Sequence, residues 1–325
     1  MTVIVTGAAG FIGFHVANAL LAAGRPVLGV DNVNAYYDPR LKRARLALLE
    51  GRPGFRFEGA DVAAPGAGAA LAALAPDAEA IVHLAAQPGV RHALKEPRAY
   101  VDANVAGQLE ILEAALRLSR LRHLVYASSS SVYGRSAVPF SVASRADAPA
   151  SLYAATKRAG ELMAAAYGDL HGLPATGLRF FTVYGPWGRP DMAPWIFTAA
   201  VAAGRPVRLF GEGALRRDFT YIDDIVAGVL AALDRPPGPG MGPHRLYNLG
   251  NSRSEPVRDL VSIIEGVLGR RAEIELAPLP PGDVRETYAD IADSRRDLGF
   301  DPATPLAEGL PRFVAWWREH GAAFA

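Results

Sequence analysis

A glycine-rich turn near the start of the chain most constrains what it can fold into. The segment GAAGFIG follows an apolar, β-branched run at 3–6 and opens an alanine- and leucine-rich helical pattern at 11–23. In such a turn Gly7 permits the sharp bend, Gly10 lets the backbone approach a pyrophosphate, and Gly13 lets the helix pack on the strand. The amides at the helix N-terminus carry partial positive charge and favour a phosphate group. A plain strand–helix turn has the same spacing, so the glycines alone leave both interpretations open.

Short apolar runs alternate with longer helical patterns through the first half of the chain. Runs typical of strands lie at 3–6, 27–30, 55–58, 80–84, 124–127 and 175–180, and helical patterns lie at 11–23, 41–49, 67–74, 98–118 and 153–171. Strands without polar alternation are buried on both faces, and strand–helix alternation produces right-handed crossovers and a parallel sheet. The sequence therefore predicts an α/β fold with a Rossmann-type doubly wound parallel sheet, whose ligands bind at the C-terminal ends of the strands.

The regular alternation ends near residue 181, where prolines and glycines become frequent. We interpret residues 1–180 as the Rossmann domain, with the strand–helix pattern at 217–248 returning to it. Residues 181–216 and 249–325 then form a smaller α/β C-terminal lobe.

The composition excludes several classes of protein. The 325 residues carry 34 lysines and arginines against 33 aspartates and glutamates, without a basic block, which leaves nucleic acid or an anionic membrane little to bind. The absence of cysteine removes disulfide scaffolds, thiolate nucleophiles and cysteine–zinc sites, and the seven histidines form no ligand-spaced cluster, so we expect no metal site. No apolar run reaches the ~18 residues of a membrane span and no leader precedes the first strand, so we expect a cytoplasmic protein.

Acidic and small residues follow the next strands of the predicted sheet. Asp31 ends the second strand, where its carboxylate can accept hydrogen bonds from both ribose hydroxyls and would repel a 2′-phosphate, which favours NAD over NADP. Asp61 and Val62 follow the third strand, where an acid can meet the adenine amino group, although an aspartate here also serves as a helix cap. Small residues end the fourth strand and either leave room for a cofactor ribose or ease helix packing: Leu84, Ala85 and Ala86.

A tyrosine and a lysine at helical spacing are the main indication of catalysis. Tyr153 and Lys157 are four residues apart, which places both on one helix face. A nearby ammonium favours the phenolate and lowers the pKa of the phenol, so the pair can take a proton from a hydroxyl while hydride leaves its carbon. The serine run 128–131 closes the fifth strand and supplies hydroxyls for the same reacting oxygen. Each motif alone is common, but their order on the elements of one dinucleotide-binding fold favours catalysis.

With these residues in place, the whole chain resembles the extended short-chain dehydrogenase/reductases of the nucleotide-sugar epimerase type, and most closely the UDP-glucuronate 4-epimerases. The GxxGxxG and YxxxK motifs specify only the superfamily, whereas YYDPRLKRARLALL and TVYGPWGRPDM are much narrower. Further segments that read like this family are GFIGFHVANALL, HLAAQPGVRHAL, SLYAATKRAGELMA, RRDFTYIDDIV and PGDVRETYADI.

The resemblance implies a bound NAD and assigns catalytic roles. Tyr153 is then the base, Lys157 activates it and contacts the nicotinamide ribose, and Ser129 is the hydroxyl partner, with the register inside 128–131 open by one residue. Asn104 lies on the helix that lines the cofactor side, where an amide also serves as a cap or a surface group. The expected cofactor contacts are Gly7, Gly10, Phe11, Ile12, Gly13, Asp31, Asn32, Asn34, Lys42, Asp61, Val62, Leu84, Ala85, Ala86, Asn104, Tyr153 and Lys157.

The resemblance also implies a site for a UDP-sugar. The expected substrate contacts are Arg91, Ser129, Ser130, Ser131, Thr182, Arg189 and Arg217. The last two serines and Thr182 match positions that hold a glucuronate carboxylate in that family, and UDP-glucose epimerases commonly carry asparagine at the position of Thr182. Arg189 and Arg217 would grip the diphosphate, because the planar guanidinium fork suits phosphate oxygens. Outside such motifs, an arginine is more often a solvated surface group.

The implied reaction is the NAD-dependent 4-epimerisation of UDP-glucuronate to UDP-galacturonate through a 4-keto intermediate, with residues 181–216 and 249–325 as the UDP-sugar-binding lobe. Three alternatives remain: a UDP-glucuronate decarboxylase, a UDP-glucose 4-epimerase, and a non-catalytic NAD-binding sensor. Decarboxylases of the superfamily usually place an acid after the catalytic hydroxyl, whereas the segment SSSVYG has none. The superfamily often pairs the helices that correspond to 98–118 and 153–171 in a four-helix bundle, so we expect a homodimer.

Overall fold

The computed structural model describes residues 2–238 and 240–324. Met1 and Pro239, in the ranges predicted for the Rossmann domain, and Ala325, in the range predicted for the C-terminal lobe, lie outside the described residues. The strands are β1 (Thr2–Thr6), β2 (Val27–Asp31), β3 (Phe55–Gly59), β4 (Ala78–His83), β5 (His123–Ser129), β6 (Ala175–Phe180), β7 (Thr182–Tyr184), β8 (Val207–Phe210), β9 (Arg216–Tyr221), β10 (His244–Leu249), β11 (Ser254–Pro256) and β12 (Ile274–Ala277). The α-helices are α1 (Phe11–Ala22), α2 (Pro39–Glu50), α3 (Ala67–Leu74), α4 (Pro97–Val101), α5 (Gly107–Arg117), α6 (Leu152–His171), α7 (Ala193–Ala203), α8 (Ile222–Leu233), α9 (Val257–Leu268), α10 (Ala292–Leu298) and α11 (Leu306–Glu319).

Seven strands form one parallel sheet in the order β3-β2-β1-β4-β5-β6-β10. The central strands are apolar on both faces because each face carries its own helical layer. In β1, Val3 and Val5 belong to a core that includes α1 residues, whereas Ile4 belongs to a second core with residues of α3 and α5. The predicted Rossmann-type α/β fold is confirmed. Its strand order reverses between β1 and β4, where a doubly wound sheet opens a crevice for ligands.

Local sequence sets where the site-bearing helices begin and end. The Asp38 carboxylate accepts a hydrogen bond from the amide of Arg40, and Pro39 occupies the first turn, so α2 begins just before the predicted 41–49. The Ser151 hydroxyl accepts a hydrogen bond from the amide of Ala154 at the start of α6, and Gly172, at φ 67°, ends that helix.

Two segments differ from the sequence prediction. The single helix predicted at 98–118 is interrupted by a π-helical turn at Asp102–Ala106, which separates α4 from α5. The strand predicted to return to the Rossmann domain, β9, pairs instead with β7 and β11 in a three-stranded sheet. The elements after it do reach the large sheet, because α8 packs on α1 and β5 and β10 pairs with β6.

The three-stranded sheet, a two-stranded β8–β12 sheet and helices α7, α9 and α11 make up the rest of the C-terminal part. Apolar residues of these elements join the same core cluster as α1 and α8, so this part packs directly on one face of the large sheet. Among the described residues, no helix is both long enough and apolar enough to cross a membrane.

Candidate active site

Two cavities meet at the C-terminal edge of the large sheet. One, of about 240 Å³, runs from the glycine turn to α6, and the other, of about 850 Å³, lies toward the C-terminal part. The residues that line both are Tyr36, Pro88, Ser129, Tyr153, Phe180, Phe181, Arg189 and Met192. Two ligands bound in these cavities would therefore face each other beside the Tyr153 phenol and the Ser129 hydroxyl.

The glycine turn at the start of the smaller cavity has no room for side chains. Gly7 has φ +73°, and a Cβ there would lie 2.9 Å from the carbonyl oxygen of Leu84. A Cβ on Gly13 would collide with the carbonyl oxygen of Gly7. Helix α1 follows with no side-chain cap, so the amides of its first turn are available to an anion in the cavity that Gly10 and Phe11 line.

Polar side chains fix the opposite end of the smaller cavity. The two carboxylate oxygens of Asp31 accept hydrogen bonds from the amides of Ala9 (3.1 Å) and Val33 (2.8 Å), which holds the carboxylate in place and leaves lone pairs for further donors. The Lys42 ammonium is buried, which lowers its pKa, and it donates to the amide oxygen of Asn34 at 2.7 Å. Asn32 donates to the Asp61 carboxylate.

Every predicted cofactor contact except Asn104 lines the smaller cavity. The Asn104 side chain is buried in the π-helical turn, where its amide oxygen accepts from the Gln87 amide at 2.8 Å. Its amide nitrogen donates to the Gln87 carbonyl and to the Thr156 hydroxyl. These bonds occupy the side chain in holding Gln87, which itself lines the cavity, and a direct contact between Asn104 and the cofactor stays a prediction.

The environment of Tyr153 differs from the sequence expectation. Burial raises the pKa of its phenol, and the hydrogen bond with Ser129 and the charge of Arg189 act in the opposite direction. One helical turn further along α6, the Lys157 ammonium donates a hydrogen bond to the main-chain carbonyl of Ala127 at 2.9 Å. Burial lowers the pKa of Lys157 to about 8, against the opposing charge of Glu161. The Ala127 carbonyl therefore holds the Lys157 ammonium at the end of β5.

The structure distinguishes the serines at the end of β5. The Ser128 hydroxyl donates to the Glu161 carboxylate at 2.6 Å. The Ser129 hydroxyl donates to that of Ser131 at 3.1 Å. Ser129 lines both cavities together with Tyr153, whereas Ser128 lines only the smaller one, so Ser129 is the hydroxyl at the junction of the cavities.

All seven predicted substrate contacts line the larger cavity. Arg217 donates to the main-chain carbonyls of Val284 and Arg285, and burial lowers its pKa. Arg91 pairs with Asp283 at 2.8 Å. Among the described residues no carboxylate pairs directly with the half-buried Arg217 guanidinium, so its charge is available to an anionic ligand.

Sequence reasoning missed two groups of functional neighbours. Asp191 accepts two hydrogen bonds from the Arg189 guanidinium and a third from the Tyr36 phenol at 2.9 Å, which lowers the pKa of Asp191 despite its burial. Glu161 and Arg179 form a bidentate pair behind the serine run. The spacing of Glu161, four residues after Lys157, was an available signal because it places an acid on the buried face of the catalytic helix.

Comparisons with known proteins agree with this geometry. A sequence model of the "NAD dependent epimerase/dehydratase family" matches residues 3–250. "UDP-glucuronate 4-epimerase 5" of Arabidopsis thaliana is 48% identical over 98% of this chain and 75% of its own length. The crystal structure of UDP-glucuronic acid 4-epimerase from Bacillus cereus, in complex with UDP-glucuronic acid and NAD, superposes with a TM-score of 0.91 at 33% identity, covering 98% of this chain and 99% of that one. The crystal structure of the UDP-glucose 4-epimerase of Thermotoga maritima with UDP-glucose superposes with a TM-score of 0.85 at 28% identity, covering 98% of this chain and 99% of that one.

Proposed function

The chain belongs to the NAD dependent epimerase/dehydratase family, and from that premise we propose that it converts UDP-glucuronate to UDP-galacturonate by epimerisation at C4 through a 4-keto intermediate. The observation that carries this proposal is the meeting of the cavity that begins at the glycine turn and the larger cavity at Tyr153 and Ser129.

NAD fits the smaller cavity. The uncapped first turn of α1 would take the pyrophosphate, and Asp31 would accept hydrogen bonds from the hydroxyls of the adenosine ribose. Ala85 and Ala86 leave space beside the nicotinamide ribose, which Lys157 would contact. NAD would supply the acceptor for the C4 hydride, which would return to the other face of the keto sugar after that sugar turns over in the pocket, and the positive charge of the nicotinamide would favour a phenolate nearby.

Tyr153 would move the proton. Its phenolate oxygen would take the proton of the 4-hydroxyl and give it back in the second half-reaction, while the Ser129 hydroxyl donates to the same sugar oxygen. The Arg189 charge helps to offset the effect of burial on the phenol. Because the hydride returns, the reaction has no net redox change and the protein needs no external reductant.

The larger cavity would hold the UDP-sugar. Arg189 and Arg217 would bind the diphosphate, and Arg91 would lie beside the sugar. The Ser130, Ser131 and Thr182 hydroxyls would donate hydrogen bonds to the glucuronate carboxylate.

The three alternatives have weaker support. The serine turn offers only hydroxyls where a decarboxylase of this superfamily would place an acid, and Thr182 replaces the asparagine common in UDP-glucose epimerases. A silent sensor would not need both Tyr153 and Lys157 on one helix face in the wall of the smaller cavity.

The test is to incubate the purified protein with UDP-glucuronate, without added reductant, and to follow the products by proton NMR. UDP-galacturonate at constant total nucleotide sugar supports the proposal. Release of CO2 with UDP-xylose or a 4-keto pentose would identify a decarboxylase, and conversion of UDP-glucose alone would discard the carboxylate site. Tyr153→Phe should abolish turnover and spare NAD binding; unchanged turnover would refute the assignment of Tyr153.

We also propose a homodimer built on α5 and α6. Leu109 and Leu116 on α5 are 41% and 39% exposed, and Leu162 and Leu170 on α6 are 56% and 76% exposed, which gives two adjacent helices an apolar outer surface. Leu162→Glu should turn a dimer into a monomer in light scattering. A cytoplasmic location is part of the same proposal, and cell fractionation tests it.

A further inference from the structure

Arg45 is buried without an anion. Its side chain is 0% exposed, and among the described residues no carboxylate lies within ion-pair distance of its guanidinium. Burial of an unpaired charge is costly, and an apolar residue of similar volume would pack there at no such cost. Neutral hydrogen-bond acceptors therefore have to offset this cost.

The guanidinium spans two loops, one in the wall of the smaller cavity and one that leads into Arg189, which lines both cavities. One terminal nitrogen, Nη1, donates to the carbonyl of Ala9 at 2.9 Å, inside the glycine turn of the smaller cavity. The other, Nη2, donates to the carbonyls of Trp187 at 2.7 Å and Gly188 at 3.2 Å, immediately before Arg189 of the larger cavity. The Tyr37 hydroxyl accepts a further bond from Nη1 and braces the group.

The loop that Arg45 holds is strained and needs this support. Trp187 has φ +62°, a conformation that a bulky side chain rarely adopts. Three consecutive carbonyls of this loop point toward the first two helices, because His15 on α1 bonds to the Pro186 carbonyl at 3.0 Å and Arg45 on α2 bonds to the next two. Burial lowers the pKa of His15 to about 4, so it is neutral at pH 7 and can donate from Nε2. Without Arg45, two of the three bonds are lost.

We propose that Arg45 is a positioning residue that ties the glycine turn to the 186–188 loop, so that NAD binding and the placement of Arg189 depend on each other. This inference rests on the proposed function, in which NAD and a UDP-sugar occupy the two cavities. Only a planar fork with two separated nitrogens can reach both loops at once, so lysine cannot replace it.

Arg45→Lys is the test, with Arg43→Lys, on the exposed side of the same helix, as the matched control. NAD retained after gel filtration is measured by absorbance of the denatured supernatant, and binding of UDP alone is measured by calorimetry. Arg45→Lys should release NAD and weaken UDP binding about tenfold or more, while Arg43→Lys behaves as the wild type. Neither readout requires turnover, so a wild type that does not act on UDP-glucuronate refutes the proposed function without deciding the role of Arg45.

Two further readouts separate positioning from a merely structural effect. If Arg45 acts through Arg189, Arg45→Lys should weaken UDP binding no further in an Arg189→Ala background. Displacement of Arg189 also removes a charge that favours the Tyr153 phenolate, so the acid limb of the pH profile of kcat should move to higher pH. Additive losses, or wild-type NAD retention and pH profile, would overturn the proposal. Should Arg45→Lys fail to fold, the neutral Arg45→Gln, which reaches only one loop, is held to the same outcomes.

Discussion

Replacing Glu161 with glutamine would leave the Arg179 guanidinium buried without its anion. The two side chains are 0% and 1% exposed, and two hydrogen bonds of 2.7 and 2.8 Å join them. Burial alone would raise the pKa of Glu161, but the bonds and charge of Arg179 outweigh it and hold this pKa below its ordinary value. Glutamine keeps the shape, removes the charge, and turns one oxygen acceptor into an N–H donor that faces another donor.

Breaking one side of such a pair costs about 3–5 kcal/mol of stability, since the remaining charge has no water around it. The pair as a whole contributes far less, because bringing both charges out of water offsets their attraction. Glu161→Met together with Arg179→Met should therefore be clearly more stable than Glu161→Gln. The exposed side of the network gives the control, since the Arg158 side chain is 24% exposed and its loss should cost about 1 kcal/mol or less.

Urea unfolding of the wild type, Glu161→Gln, Arg179→Met and the double variant measures these free energies and the coupling between the two positions. The same Glu161→Gln protein should show a chemical effect. The Glu161 charge raises the pKa of Lys157 against burial, so its removal should lower that pKa below about 8 and move the alkaline limb of kcat to lower pH. If the alkaline limb of kcat reports the ionisation of Lys157, Arg158→Ala should leave that limb at its wild-type pH.

Two results would refute the reasoning. A loss of stability of less than about 1 kcal/mol in Glu161→Gln would mean that water reaches the Arg179 charge. A double variant whose loss equals the sum of the single losses would mean that the two side chains act independently.

Three other perturbations have defined outcomes. Gly13→Ala should release NAD, because its Cβ collides with the Gly7 carbonyl; NAD in the denatured supernatant measures this, and retention at the wild-type level would contradict it. Burial lowers the pKa of His123 to about 4, so the unfolded chain binds a proton below pH 6.5 that the folded chain refuses until about pH 4. The His123 contribution to the free energy of unfolding is therefore fully present above pH 6.5 and falls by about 3 kcal/mol toward pH 4. The urea midpoint of His123→Gln should therefore fall less steeply with decreasing pH than that of the wild type. Thr182→Asn should raise the ratio of UDP-glucose to UDP-glucuronate turnover, measured by NMR in competition; an unchanged ratio would separate Thr182 from substrate choice.

Local sequence determined the fold class and most of the walls of the smaller cavity. Residue spacing predicts geometry within one helical turn or at one strand end. This applies to the glycines at 7, 10 and 13, to Asp31 after an apolar strand, and to the Tyr153–Lys157 pair. The parallel order of the strands then brings these ends to one edge of the sheet. All predicted cofactor contacts but Asn104 line the same cavity for that reason.

The tertiary structure alone decided which side chains support the site. Arg45 meets the carbonyl of Trp187 across 142 positions of sequence, and no spacing rule relates two residues so far apart. Ser128 finds its partner in the same way, in Glu161 on the next helix. Buried polar groups must find partners once water is removed, and the partner is whatever group packing brings near. That requirement also turned Asn104 toward Gln87.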